Sequence, residues 1–143
     1  MLAGSSESDG QGDRRIHKPL SNRRVLVVED EYFIADEIRL GLVDLGAEVL
    51  GPFADVQHAA VFLGDGTPID VALLDINVRS EMVFPLARAL RSRGIPVVFT
   101  TGYGKAAIAP EFQEIELWQK PLDLPTALPR LAGLVRQGGN KNR

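Results

Sequence analysis

The stretch that decides the fold is VLVVEDE, Val25 to Glu31, in which four aliphatic residues run straight into three carboxylates. A short, unbroken apolar run with polar flanks reads as a strand buried on both faces, as in parallel sheets. Buried places penalise charge. Glu29, Asp30 and Glu31 at the mouth of such a strand therefore need a physical reason. One plain reason is that they open the following helix, with Asp30 as N-cap and acids at the positive helix end. The alternative is that they gather a cation.

Working outward, strand and helix signals alternate. YFIADEIRLGLVDL puts Ile34, Ile38, Leu42 and Leu45 on one helical face, and Gly46 stops the helix. AEVLGPF reads as a second strand, DVQHAAVFL as a helix and GDGTP as a turn. DVALLDI is a third buried strand and VFPLARALRSRG a helix ending at Gly94. IPVVFTT and IELWQ follow as strands, and LPTALPRLAGLVRQ as the final helix. This alternation predicts an α/β fold, a flavodoxin-like doubly wound five-stranded parallel sheet of order 2-1-3-4-5. Between Thr101 and Lys120, Gly102, Gly104 and Pro110 interrupt the chain. The fourth helix is therefore expected to be short or irregular, and the 102–114 stretch weakly held.

Composition bounds the rest. The 143 residues suit one domain, with 45% hydrophobic and 24% charged residues. A net charge of −3 gives no basic footprint for nucleic acid or anionic lipid. Absence of cysteine removes disulfides and thiolate metal sites, and the two histidines, His17 and His58, are too scattered for zinc. No run approaches membrane-spanning length and the start does not read as a secretion signal, so a cytoplasmic protein is expected. Residues 1–22 and 138–143 are poor in large apolar side chains and read as disordered tails around a domain over 23–137. No helix-turn-helix or catalytic module follows the final helix, so the output is expected to be a protein contact.

The ends of the strands carry the chemistry. Open α/β sheets bind ligands beyond the carboxyl ends of their strands, where the winding reverses. There stand Glu29 and Asp30 (strand one), Asp75 and then Asn77 (strand three), Thr101 and Gly102 (strand four), and Lys120 before Pro121 (strand five). Crowded acids raise one another's pKa or recruit a cation. Mg²⁺ suits oxygen ligands and leaves positions open for phosphate. Asp75 can then act as a nucleophile and form an acyl phosphate. Lys120 and the Thr101 hydroxyl, with backbone N–H groups near Asn77 and Gly102, can take up the phosphoryl charge. Taken singly, each residue also reads as an ordinary cap, turn or strand exit, and the joint arrangement is what favours a phosphoryl site.

The set resembles the receiver domain of two-component response regulators over residues 24–136. The resemblance implies that Glu29, Asp30 and Asp75 hold Mg²⁺ together with the Asn77 backbone carbonyl. It also implies a cis Lys120–Pro121 bond, and phosphoryl transfer to Asp75 from a histidine kinase or a phosphotransfer protein, without substrate turnover. FTTGY, Phe99 to Tyr103, further resembles the signature of the FAT-GUY group of single-domain receivers, as do LDINVRSEMVFPLARAL and LWQKPLD. That group implies an alphaproteobacterial setting, HWE-type kinases and general stress signalling. Thr100 stands where the group usually has Ala, and Leu117 where many receivers carry an aromatic switch residue. The switch is accordingly expected at Thr101, Gly102 and Tyr103 with the segment after them. Two rivals stand beside this reading. One is a degenerate receiver that binds without phosphate. The other is a haloacid-dehalogenase-type phosphatase, which needs an acid where this chain has Asn77.

Overall fold

The computed structural model describes residues 18–64, 66–102 and 108–135. Five strands form one parallel sheet: β1 (Arg24–Val28), β2 (Glu48–Phe53), β3 (Val71–Asp75), β4 (Val97–Thr101) and β5 (Leu117–Gln119). Their spatial order is β2-β1-β3-β4-β5, which is the predicted winding. Helices α1 (Tyr32–Asp44), α2 (Val56–Gly64) and α3 (Phe84–Ser92) connect the strands, and α4 (Leu124–Ala127) opens the final helical segment.

The apolar runs are buried on both faces because alternate residues serve different layers. Leu26, Val28, Ala72, Leu74, Val97 and Phe99 face one core with Ala59, Leu63, Ala87 and Leu90 from α2 and α3. Val25, Val27, Val71, Leu73 and Val98 face the other, with Ile38 and Leu42 of α1 and Leu128, Leu131 and Val135 near the C-terminus. A slip by one residue would exchange the two sets, so the register is strongly specified. It pairs Val28 with Leu74, Asp75 with Thr100, and Thr101 with Gln119. The polar residues that follow each strand are thereby brought to one end of the sheet.

Three expectations are corrected. First, packed structure begins before residue 23. Leu20 is fully buried and its N–H donates to Leu45 O at 2.9 Å. Gly46 makes room for this crossing, with φ +94° and Ser21 atoms 3.0–3.2 Å from where a Cβ would stand. Second, the final helix is broken. After α4 the chain makes a 3-10 turn over Leu128–Arg130 and is helical again over 131–135. Pro125 and Pro129 each lack the N–H of a continuous helix and so stand at the start of a new turn.

Third, the 102–114 stretch is not weakly held throughout. Residues 103–107, with Tyr103, lie outside the described residues, and the helical piece described there is a 3-10 turn, Pro110–Phe112. Yet Phe112 is fully buried, stacked on Phe84 and edge-on to Phe99. Arg91 lies over its ring at 4.5 Å, and Arg88 pairs with Glu111 at 2.6 Å. An aromatic anchor supplies what helix length does not.

In addition, a β-hairpin, Asn77–Val78 with Glu81–Met82, precedes α3 in a segment to which the sequence reading assigns no element. Its tip residues Arg79 and Ser80 have φ of +51° and +67°, the conformation that two-residue hairpin turns require and that non-glycine residues resist. Ser80→Gly is therefore expected to stabilise the protein by about 0.5–1 kcal/mol, after the extra freedom of glycine in the unfolded chain is counted. A higher urea midpoint at unchanged slope checks this, and an unchanged or lower midpoint contradicts it.

Candidate functional site

The site is built from four strand ends. Glu29 follows β1 and is almost wholly buried; its N–H donates to Phe53 O at 2.9 Å, which fixes the strand exit. Its Oε2 accepts the Glu31 N–H at 3.0 Å. Asp75 ends β3 and is 6% exposed. The main-chain N–H of Lys120 donates to Thr101 O at 2.8 Å, so strands four and five deliver these residues as one unit. Thr101 is 1% exposed. The Lys120–Pro121 bond is cis, as the resemblance implied.

Lys120 is the centre of the electrostatics. Its Nζ lies 3.0 Å from Asp75 Oδ2, 3.0 Å from Glu29 Oε1 and 3.3 Å from Glu29 Oε2, with Glu31 Oε1 at 3.9 Å. Glu29 Oε1, though close, is poorly aligned and makes no hydrogen bond, which leaves a buried acceptor unsatisfied. Burial pushes the Glu29 carboxyl up to about 7, and the Asp75 charge adds to the rise. The Glu31 N–H and Lys120 pull it back only in part. For Lys120, burial acts downward, but the hydrogen bonds to Asp75 and Glu29 outweigh it and hold the ammonium above its ordinary value.

Asp30 does not cap α1. The cap position is Glu31, without a side-chain hydrogen bond, and Asp30 Oδ2 instead accepts the Arg79 main-chain N–H at 2.8 Å. This contact decides against the plain helix-start reading of Asp30. Oxygens of Glu29, Asp30 and Asp75 all lie within 4.8 Å of one another. Three hard oxygen donors, one of them a buried carboxylate oxygen without a hydrogen bond, fit a divalent cation of the Mg²⁺ kind. A cleft of about 470 Å³ lies above them, lined by Asp30, Glu31, Asp75, Asn77, Arg79, Ser80, Gly102 and Lys120. Gly102 is among the lining residues, and a Cβ there would meet nothing within 4 Å.

The structure thus brings together Glu29, Asp30, Asp75, Asn77, Thr101, Gly102 and Lys120. Asn77 N–H approaches Asp75 Oδ1 at 3.3 Å. Leu117 is half-buried in β5, paired with Phe99 and packed on the core. Trp118 packs in the other core, its Nε1 donating to Glu116 at 2.6 Å. His58 pairs with Asp55 at 2.7 Å at the start of α2. Arg79 was missed. An Asn-Gly or Asp-Gly pair at the tip would have flagged the hairpin, and this chain has Arg-Ser. Among the described residues no helix is long and apolar enough to cross a membrane.

No protein-family model matches the chain. A probable transcriptional regulatory protein of Picosynechococcus sp. is 30% identical over 126 residues, an alignment covering 80% of this chain and 49% of that protein. The chain therefore spans about half the length of the curated relative it matches. The solution structure of SdrG from Sphingomonas melonis Fr1 is 34% identical with a TM-score of 0.68, covering 79% of this chain and 97% of that one. A BeF3-activated conformation of SdrG, reported from Pseudomonas melonis Fr1, is 33% identical with a TM-score of 0.65, covering 80% and 98%. A response regulator receiver protein from Sinorhizobium medicae WSM419 has the same fold, with 20% identity and a TM-score of 0.71 over 83% of this chain and 98% of that one. With a third of the aligned residues identical to SdrG over nearly all of that chain, and the predicted sheet and strand-end acids in place, this protein belongs to the response regulator receiver domains.

Proposed function

We propose that the chain is a phosphoacceptor of the FAT-GUY type, modified on Asp75 in an Mg²⁺-dependent transfer from a histidine kinase or phosphotransfer protein. The observation that carries this reading is the placement of Lys120 Nζ 3.0 Å from an Asp75 that shares a 4.8 Å cluster with Glu29 and Asp30. Glu29, Asp30, Asp75 and the Asn77 carbonyl would hold the cation. When bound, it supplies positive charge to the phosphoryl oxygens.

In the transfer, an Asp75 oxygen attacks phosphorus as the donor's P–N bond breaks, its electron pair leaving on the donor imidazole. Lys120 leaves its ion pair with Asp75 to follow the charge onto the phosphoryl group, a point charge suited to that role. The Thr101 hydroxyl donates to another oxygen and couples modification to the segment beyond Gly102. An activated form of SdrG with BeF3, a protein 33% identical, supports this reading. A cytoplasmic setting and a role in general stress signalling through protein contacts belong to the same proposal.

The degenerate-receiver rival is disfavoured because Glu29, Asp30, Asp75 and Lys120 are all present and clustered. The phosphatase rival lacks an acid at Asn77, and its nucleophile would stand on β3 rather than β1. The test is incubation with acetyl phosphate or a phosphorylated kinase. One phosphoryl group per chain is expected with Mg²⁺, and none in EDTA. Equal labelling in EDTA would remove the metal role, and rapid multiple turnover of phosphate esters would revive the phosphatase.

A further inference from the structure

We propose that Arg79 is a positioning residue for the acid site, holding Asp30 in place for the cation. The inference rests on the metal reading above and extends it to the hairpin tip. Asp30 follows β1 and precedes α1, in neither element, and is half exposed. A carboxylate there has several rotamers available. In the structure one of its oxygens is committed: Oδ2 accepts the Arg79 main-chain N–H at 2.8 Å. That leaves Oδ1 as the oxygen to offer a cation.

The N–H is itself held from two sides. The Arg79 Nε donates to Ala54 O at 2.9 Å, on the loop after β2. The other limb of the hairpin is tied to α2 by Gln57 Nε2 donating to Glu81 Oε2 at 3.0 Å. These contacts hold a tip in which two consecutive non-glycine residues adopt positive φ. Such conformations persist only where surrounding contacts over-determine them. A second cavity of about 460 Å³, lined in part by Tyr32, Asp36, Arg39 and Pro52, adjoins the acid cleft, and Asp30 and Arg79 line both. Asp30 and Arg79 therefore stand where the two cavities meet, with open space on both sides. Losing the guanidinium would loosen the hairpin tip and free Asp30 to turn away.

The effect is sized by the cost of ordering one side chain when the cation binds, about 3- to 10-fold in affinity. Arg79→Ala keeps the Cβ, and with it the backbone cost of the turn, and removes only the anchor. Isothermal titration of the full chain with MgCl2 should give a Kd about 3- to 10-fold weaker for Arg79→Ala, with Arg79→Lys between it and the wild type. A merely structural role would lower the melting temperature and leave Kd unmoved, and that result overturns the proposal. Should Arg79→Ala fail to fold, amide hydrogen exchange on the wild type decides. The Arg79 amide, at an exposed tip, should exchange slowly through its bond to Asp30, and free exchange overturns the proposal. Absence of any Mg²⁺ binding by the wild type overturns the metal reading and this inference together. Binding with equal Kd in wild type and Arg79→Ala overturns the inference alone.

Discussion

Asp75→Asn is expected to abolish acyl-phosphate formation completely while leaving the fold in place. An amide has the shape of a carboxylate but not its charge, so it offers a poor nucleophile and a weaker cation ligand. The substituted side chain would still present a carbonyl oxygen to Lys120 Nζ, which lies 3.0 Å from Asp75 Oδ2 in the wild type, so the local geometry should survive. Removing one of two neighbouring negative charges also relieves Glu29, whose carboxyl the Asp75 charge helps to raise. The variant should therefore be at least as stable as the wild type in metal-free buffer. Radiolabel transfer from a phosphorylated kinase, beside a urea titration of each protein, measures both parts. Label retained by Asp75→Asn would show that another residue is the acceptor.

Glu29→Gln carries the largest expected change in stability, and its sign depends on pH and metal. The folded-state pKa of Glu29 is raised from 4.5 to about 7. Between those values the folded state holds more protons than the unfolded chain, so the wild type loses stability as pH rises. Below about 4.5 the residue is neutral in both states and the penalty is absent; above about 7 it is fully developed. Its size is at most about 3 kcal/mol. In EDTA, Glu29→Gln should exceed the wild type by up to about 3 kcal/mol at about pH 8, with the difference fading toward about pH 4.5. Millimolar Mg²⁺ should stabilise the wild type by binding its folded state and erase that advantage, while doing much less for the variant. Urea unfolding across this range, with and without metal, gives the test. A difference independent of pH would mean that Glu29 is not a strained carboxylate. An equal Mg²⁺ response in both proteins would remove it from the ligand set.

How far these features were legible in the sequence differs from residue to residue. Val25–Val28 and Val71–Leu74 announced buried strands because an aliphatic run needs cover on both faces. Asp75 and Lys120 were legible jointly, as an acid and a cation at the ends of parallel-sheet strands with Thr101 between them in the chain, and neither was distinctive alone. Glu29 and Asp30 were less legible, since neighbouring acids before a helix serve equally as caps. Only the Arg79 N–H on Asp30 and the buried Oε1 of Glu29 separate the two uses. Leu20 was hidden by its polar neighbours, and Phe112 by the glycines and proline around it. Both are fixed by distant partners, Leu45 for the first and Phe84 with Phe99 for the second.

The sequence by itself determined the alternation of strand and helix, the winding order of the sheet, and which residues end each strand. The elements follow from periodicity and turn chemistry, which act over a few residues along the chain, and the order follows from the right-handed winding of alternating strands and helices. The tertiary structure alone decided which charges meet. Glu29 and Lys120 are 91 positions apart, and Asp30 and Arg79 are 49 apart. Their contacts exist only once β1, β3 and β5 are in register. Coulomb energy and desolvation depend on distance and burial in space, so the raised carboxyl of Glu29 and the clamped oxygen of Asp30 have no local signature to read.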